Sequence, residues 1–235
     1  MCSGRVDLKF VLKAFLNGCD GILIGGCRLN ECNYVTHGNY HALNMVILCK
    51  KLMEHIGLNP ERLMIAFMSS ADGFRFVEKV SELSNKVREL GPLGKNEGLD
   101  QNELKARLEE IIKLIPYIKL IKKEKLESRL ENEEEYEGFF TNDEIEKLLN
   151  EVPSYYIDPD KCQACMICAK RCPVEAIVGG KNRIHVIDQE KCIKCGTCFE
   201  ACPPRFGAVK AISGEPVPPP IPEKERTIVR KSKEK

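Results

Sequence analysis

The sequence carries almost no net charge. Its 36 Lys and Arg against 35 Asp and Glu leave a formal +1 over 235 residues. No bulk field therefore recruits nucleic acid or a membrane surface. No early apolar run suggests a signal peptide, and no stretch approaches the ~18–20 apolar residues of a spanning helix, so a cytoplasmic chain is expected. Signatures of catalysis are just as scarce. Gly25-Gly26 is only a glycine pair, far short of the G-x-G-x-x-G that opens a dinucleotide fold, and neither a phosphate loop nor a triad-like set is present. His37 and His41 stand four apart but lack the Glu of H-E-x-x-H, so they read as structural or surface groups rather than zinc ligands.

What the sequence has instead is cysteine, thirteen in all. In a chain without an export signal that number points to metal in a reducing compartment rather than to disulfides. Eight fall in two runs, Cys162-x2-Cys165-x2-Cys168-x3-Cys172-Pro173 and Cys192-x2-Cys195-x2-Cys198-x3-Cys202-Pro203. This is the spacing by which thiolates hold cubane 4Fe–4S clusters. Three thiolates at x2 intervals wrap three irons of one cube, and the fourth, before a helix-breaking proline, points away to close the other. Cys162, Cys165, Cys168 and Cys202 are thus expected to hold one cluster, and Cys192, Cys195, Cys198 and Cys172 the second. A four-cysteine zinc site needs only two separated C-x2-C pairs and has no use for this arrangement. With all eight thiolates supplied both cubes are closed, which suits one-electron transfer better than substrate binding at an open iron.

The two runs belong to a 30-residue repeat: Ile157-Asp158-Pro159-Asp160-Lys161-Cys162 matches Ile187-Asp188-Gln189-Glu190-Lys191-Cys192. Residues 154–213 resemble the bacterial two-cluster ferredoxin module. The stretch from Cys192 through Ser213-Gly214-Glu215-Pro216-Val217-Pro218 resembles the ferredoxin-like tail of NADH-dehydrogenase-type flavoprotein subunits of hydrogenases. Two departures leave the ligand spacing intact: Met166 stands where the second half has Gly196, and Phe206-Gly207 lengthens the turn after Cys202.

Residues 1–94 alternate helical and extended patterns. Leu8, Val11, Leu12, Phe15 and Leu16 fall at helical spacing, as do Ala42, Met45, Val46, Cys49, Leu52, Met53 and Ile56 before Gly57, and Phe76, Val80, Leu83, Val87 and Leu90 before Gly91-Pro92. Between them lie two short apolar runs, Ile22-Leu23-Ile24 and Leu63 to Phe67, that read as buried strands. Helix and strand in alternation argue for an α/β layer with parallel strands, where ligands collect beyond the carboxyl ends. Cys27 sits at that end, after Gly25-Gly26, and Cys32 follows five residues later. Cys49 and Cys19 read instead as small buried hydrophobes.

The motifs Cys2-Ser3-Gly4-Arg5-Val6-Asp7, Asp20-Gly21-Ile22-Leu23-Ile24-Gly25-Gly26-Cys27, Glu31-Cys32-Asn33-Tyr34 and Gly38-Asn39-Tyr40 resemble the delta subunit of methyl-viologen-reducing hydrogenase, with the likeness running to about Pro92. The resemblance implies an iron–sulfur electron carrier that holds a 2Fe–2S cluster and docks onto the flavin-containing A subunit of heterodisulfide reductase or a relative. It makes Cys2, Cys27 and Cys32 candidate ligands of that cluster. Family members begin with a further strand and cysteine-bearing stretch before Cys-Ser-Gly-Arg. The site is therefore expected to be incomplete, with a fourth ligand from a neighbouring chain or an extended N-terminus.

Residues 95–151 change character. Leu104, Leu108, Ile111, Ile115 and Ile118 run at helical spacing, Pro116 is expected to kink or end that helix, and Lys119 to Glu137 is densely charged. The stretch reads as a helical arm burying its apolar face against a partner, with a solvated spacer as the alternative. Beyond Ser213 a proline-rich segment and a basic, loose end are expected. The expected architecture is an α/β domain with a small parallel sheet (1–94), a helical charged linker or arm (95–151), an α+β two-cluster ferredoxin-like domain (152–213) and an extended tail (214–235). The expected function is electron relay between a hydrogenase, formate dehydrogenase or NADH-oxidising flavoprotein and a flavin-containing heterodisulfide-reductase-A-like protein, with no nucleic acid or membrane partner. The alternatives are a redox-thiol or flavin-binding oxidoreductase and a structural adaptor whose clusters staple the fold.

Overall fold

The computed structural model describes residues 2–34, 37–130, 133–136 and 138–227. The chain divides into two compact units, Met1–Leu148 and Leu149–Lys235.

In the first unit, β1 (Ile22–Gly26) and β2 (Leu63–Phe67) form a two-stranded parallel sheet in which Ile22 lies opposite Leu63 and Gly26 opposite Phe67. Three helices flank the sheet in sequence. α1 (Leu8–Leu16) begins at Asp7, whose carboxylate accepts from the Lys9 backbone N–H, and buries Leu8, Val11, Leu12 and Phe15. α2 (Asn39–His55) buries Met45, Val46, Leu48, Cys49, Leu52 and Met53. It ends before Gly57, which takes φ +86°, a conformation glycine adopts without strain. Cys49 is fully buried, and desolvation pushes its thiol up to about 12. Cys19, expected to be buried, is exposed, because the turn after α1 lifts it away from the apolar face.

The third helix, α3 (Gly73–Leu90), departs from expectation. Its spacing marks an apolar stripe, yet only Leu83 is buried, and Phe74 (96% exposed), Phe76, Val77 and Val80 face outward. Periodicity identifies an apolar face but not what covers it.

The converse holds for the expected arm. α4 (Gln101–Ile121) packs on α1, and Leu104, Leu108, Ile111, Ile115 and Ile118 are buried within this same unit rather than held for a partner. The helix runs on past Pro116, secured by buried Tyr117 and Ile118, instead of ending there. Nor is the charged run that follows a solvated spacer. In α5 (Lys123–Glu127) Leu126 is buried, and the amide of Asn44 on α2 donates to the carbonyls of Lys125, Leu126 and Ser128 at 3.1, 3.2 and 2.7 Å. Lys122 and Lys125 both bind Glu144 at the start of α6 (Asn142–Asn150). Part of the charged stretch, residues 131, 132 and 137, lies outside the described residues.

One group missed by sequence pattern ties this unit together. Arg62, just before β2, has a fully buried side chain. Its guanidinium bonds Glu97 at 2.6 and 3.0 Å and the carbonyls of Asp20, Leu90, Gly91 and Pro92 at 2.9–3.3 Å. Burial alone would raise the Glu97 carboxyl, but the Arg62 bonds hold it below the usual carboxylate range. Replacing Arg62 with leucine leaves a buried carboxylate and four carbonyls without their donor, so we expect a loss of about 3–5 kcal/mol. Urea unfolding followed by circular dichroism reads this directly. A midpoint within error of the parent would show that the network is not holding the unit together.

The second unit is built twice. β3 (Ser154–Ile157) pairs antiparallel with β6 (Val209–Ile212), Tyr155 opposite Ala211, and β4 (Ile177–Gly180) with β5 (Arg183–Ile187), Ile177 opposite Ile187. Two single-turn helices, α7 (Ile167–Arg171) and α8 (Thr197–Ala201), pack against each other. Their shared core is Tyr155, Ile157, Ile177, Ile187 and Val209 with Cys162, Cys168 and Cys198. The longer turn after Cys202 is absorbed locally: the Phe206 and Gly207 N–H groups both bond the Pro203 carbonyl. Ala208 O then accepts from Asp158 N at 2.7 Å, as Ala176 O does from Asp188 N.

The tail is not loose where it is described. Thr227 bridges Arg183 on β5, Ile184 N donates to Arg226 O at 2.7 Å, and Arg183 pairs with Glu223. Of the basic end expected over Lys224–Lys235, residues 228–235 lie outside the described residues.

Candidate iron–sulfur sites

Each cysteine run of the second unit is wound by the same local device. Asp158 and Asp188 turn the chain inward: their carbonyls accept from Cys162 N and Cys192 N at 3.0 Å, and their carboxylates accept from Asp160 N and Glu190 N. Next, Ala164 (φ 49°) and Met166 (φ 66°) in the first run, and Lys194 (φ 58°) and Gly196 (φ 77°) in the second, take the left-handed conformation. Three of these four are not glycine, and each such residue costs of order 1 kcal/mol or more, the kind of strain that collects at functional sites. Met166 therefore adopts the backbone of its glycine counterpart rather than altering the loop.

The thiols fall into two neighbourhoods. Burial pushes the Cys168 thiol up to about 11, and Cys162, Cys165 and Cys202 add to that shift. Burial likewise raises Cys192, with Cys195 and Cys172 adding to it. Cys198 is pushed up to about 12 by burial, then by Cys192 and Cys195, with a further push from Cys168 of the other group. Cys202 thus lies near Cys168 of the first run, and Cys172 near Cys192 of the second. Cys172 Sγ also accepts from Ala176 N at 3.3 Å, and Thr197 Oγ1 lies 3.3 Å from Cys195 Sγ. Eight thiols at this spacing, on two loops wound alike, are the kind of donor set that cubane clusters take.

In the first unit Cys2, Cys27 and Cys32, 30 residues apart in sequence at their extremes, meet beyond the carboxyl ends of β1 and β2. Cys2 Sγ lies 3.8 Å from Cys32 Sγ. Burial raises the Cys27 thiol, with Cys32 and Cys2 both contributing. Burial would raise Cys32 too, but the Tyr34 and Asn39 N–H groups and the other two sulfurs hold it below the ordinary thiol range. The three line a cavity of about 450 Å³ with Ser3, Glu31, Tyr34, Met68, Ser69 and Ser70.

The sequence motifs around these cysteines are explained by close approaches. A Cβ on Gly38 would stand 2.5 Å from Cys32 Sγ and 2.2 Å from the Tyr34 carbonyl, one on Gly4 would strike the His37 carbonyl, and one on Gly26 would meet Ser3 Oγ at 2.7 Å. Buried Asn39 donates to the carbonyls of Cys27 and Arg28 at 3.0 and 2.6 Å, and Arg28 grips Asp72 at the start of α3. Ser3 Oγ is buried beside the thiols with no hydrogen-bond partner. An orphaned hydroxyl and three convergent sulfurs fit a polarisable inorganic group at this position. Among the described residues no three His, Cys, Asp or Glu side chains converge as the ligands of a single metal ion would. In a cubane each thiolate serves a separate iron, so the thiols of the dicluster unit need only line a common cavity. Cys19 and Cys49 take no part.

Residues 1–91 match the family described as methyl-viologen-reducing hydrogenase, delta subunit, and residues 154–203 match the 4Fe–4S dicluster domain. The first stretch is 40% identical over 92 residues to the vhu iron–sulfur protein of the F420-non-reducing hydrogenase of Methanopyrus kandleri, covering 39% of this chain and 69% of that protein. The chain belongs to the hydrogenase delta-subunit family. It is also 42% identical over 91 residues to the iron–sulfur protein of the F420-non-reducing hydrogenase of Archaeoglobus profundus, covering 39% of this chain and 66% of that one. A third relative is far larger: the A component of the ferredoxin:CoB-CoM heterodisulfide reductase of Methanosarcina mazei, 39% identical over 113 residues, 48% of this chain but only 14% of the other. The chain thus spans about two thirds of the hydrogenase iron–sulfur proteins and about a seventh of the heterodisulfide reductase component. The delta-subunit stretch is joined here to an iron–sulfur dicluster domain. Among the described residues no helix is long and apolar enough to cross a membrane.

One residue at the second unit's core stands outside every motif of the sequence. His185 on β5 lies against Cys162 and Met166. Its signal was available: counted back by the 30-residue repeat, it occupies the place of Tyr155.

Proposed function

We propose that this chain is an electron-transfer protein carrying two cubane clusters and a 2Fe–2S cluster. Cys162, Cys165, Cys168 and Cys202 hold one cubane, Cys192, Cys195, Cys198 and Cys172 the other, and Cys2, Cys27 and Cys32 are ligands of the 2Fe–2S cluster. Such clusters supply reversible one-electron chemistry when bound. The chain's own residues position the thiols, exclude water with the core around Ile157, Ile177, Ile187 and Val209, and offer each cube a full set of four so that no iron is open to substrate. What supports the reading is the twice-repeated C-x2-C-x2-C-x3-C run on loops wound alike, with Cys2, Cys27 and Cys32 meeting in the first unit. Thirteen free thiols also suit a cytoplasmic location.

Electrons pass between the dicluster unit and the three-thiol site, with a hydrogenase, formate dehydrogenase or NADH-oxidising flavoprotein on one side and a flavin-containing heterodisulfide-reductase-A-like protein on the other. The presence of a similar stretch within a heterodisulfide reductase A chain of Methanosarcina supports the second partner. An anaerobic redox titration of the purified chain tests this: it should show reversible one-electron steps and no turnover with hydrogen, formate or NADH. Clusters that resist reduction throughout would mean that they only staple the fold.

The exposed face of α3 adjoins the Ser69-Ser70 rim of the three-thiol cavity and is the surface on which we place the flavoprotein partner. Large apolar anchors dominate such interfaces, and two introduced charges there should weaken binding roughly 100-fold, about 2–3 kcal/mol. We expect the double substitution Phe74→Asp and Val77→Asp to abolish co-elution with that partner while leaving iron content unchanged. Undiminished co-elution would move the docking surface elsewhere.

A further inference from the structure

The two halves of the dicluster unit repeat each other, yet they differ at one buried position. His185 is 1% exposed. Its ring lies so close to Gly179 on β4 that a Cβ there would come within 2.4 Å of it, so only glycine leaves room for the imidazole. Nδ1 is 3.8 Å from Cys162 Sγ and Nε2 is 3.1 Å from Met166 Sδ. Thirty residues earlier Tyr155 fills the matching place, its hydroxyl over Gly196, where a Cβ would sit 2.9 Å from it, and its ring 6.2 Å from that of Phe199. Each half therefore sends an aromatic side chain to one cysteine loop, with a nitrogen ring at the first and a phenol at the second. Met166, where the repeat has glycine, reaches the imidazole with its thioether.

These two substitutions act together. A neutral imidazole carries one N–H, and here its two nitrogens face two different sulfurs. The Met166 thioether is uncharged and a weak acceptor, whereas a cluster-bound Cys162 thiolate is anionic. The proton belongs on Nδ1, aimed at Cys162. Reducing a cluster by one electron adds negative charge that spreads onto its thiolate sulfurs, so a donor aimed at one of them gains more from the reduced form than from the oxidised form. Hydrogen bonds to the sulfurs are among the features that set cluster potentials, and a dry site strengthens them.

We propose that His185 is a positioning residue that raises the reduction potential of the cubane held by Cys162, Cys165, Cys168 and Cys202, and so makes that cluster the preferred resting place of the first electron in the unit. The inference rests on the cluster assignment above. No proton is gained or lost in the step: one electron enters from the reductant, and the hydrogen bond shortens. Met166 fixes the tautomer by offering Nε2 only a weak acceptor.

The test is an EPR-monitored redox titration of the full chain, loaded with iron under anaerobic conditions, beside three variants. Cys162→Ser identifies which signal belongs to the first cube. His185→Phe keeps the ring and removes both nitrogens. His185→Asn places an amide N–H close to where Nδ1 stood. We expect His185→Phe to weaken reduction of the first cluster roughly tenfold, about 59 mV for a one-electron couple, with the second cluster unmoved. His185→Asn should recover most of that shift. If His185→Phe leaves both potentials in place, or shifts them equally, His185 does not tune the first cluster. If both His185 variants lose the first signal altogether, its role is to hold the fold and the proposal fails. If Cys162→Ser leaves both cubane signals intact, the cluster assignment fails instead, and the two failures are read separately.

Discussion

Replacing Cys172 with alanine will remove roughly half of the dicluster iron, about four of eight atoms, and will extinguish the cluster of the opposite run. Cys172 stands with Cys192 and Cys195, and its own run's Cys168 is surrounded by Cys162, Cys165 and Cys202. The thiolate lost is therefore the fourth ligand of the second cube. Cys172→Ala should abolish the same EPR signal that Cys192→Ala abolishes, and spare the one that Cys165→Ala abolishes. The reciprocal substitution, Cys202→Ala, should do the reverse. If Cys172→Ala and Cys165→Ala remove the same signal, each run closes its own cube and the crossing is wrong.

Replacing Cys27 with serine should have the second large effect. In the assembled complex it removes roughly two of the about ten irons assigned to this chain and the signal of the 2Fe–2S cluster, while both cubane signals remain. Electrons should still enter the dicluster unit but no longer reach the flavoprotein partner, so reduction of the flavin by this route stops. The measurement compares the isolated chain with the complex, before and after the substitution, by iron analysis and low-temperature EPR. If a docked chain completes the site, the third signal should be strong in the complex and weak or missing in the chain alone. A complex whose signals and flavin reduction are indifferent to Cys27→Ser would make the first unit an adaptor. Arg28 and Asn39 brace the same loop through Asp72 and the Cys27 carbonyl, so a change at Cys27 itself tests the ligand rather than the loop.

Much of this was legible before any coordinates, and the reasons differ from place to place. The cysteine runs speak plainly because metal ligation fixes spacing in sequence, and the 30-residue repeat carries that spacing through both halves. The strands Ile22–Gly26 and Leu63–Phe67 were legible as apolar runs too short to be helices. Cys2, Cys27 and Cys32 needed a resemblance, since their convergence depends on a parallel pairing and a glycine-rich loop that no local rule predicts. What pattern could not decide was which neighbour an apolar face would meet. Leu104, Leu108 and Ile111 cover their own domain, whereas Phe76 and Val80, spaced as regularly, stay exposed on it. Arg62 was hidden for the opposite reason: a lone arginine looks like surface unless one knows that Glu97 and four carbonyls converge on it. The start of the basic end, which composition suggests is loose, lies along β5 through Arg226 and Thr227, because an edge strand offers it unpaired N–H and C=O groups.

The left-handed residues of the cysteine loops have a consequence for the life of the protein in the cell. Ala164, Met166 and Lys194 are held at positive φ by a loop that closes around its thiols, and a chain made without iron has little to hold them there. Such a chain would relax first at these turns, presenting Lys161, Lys170, Arg171, Lys191 and Lys194 on slack backbone to any protease that cleaves after basic residues. Abundance of the protein would then follow iron supply after translation, with unmetallated copies removed before they could occupy a place in the assembly and interrupt its current.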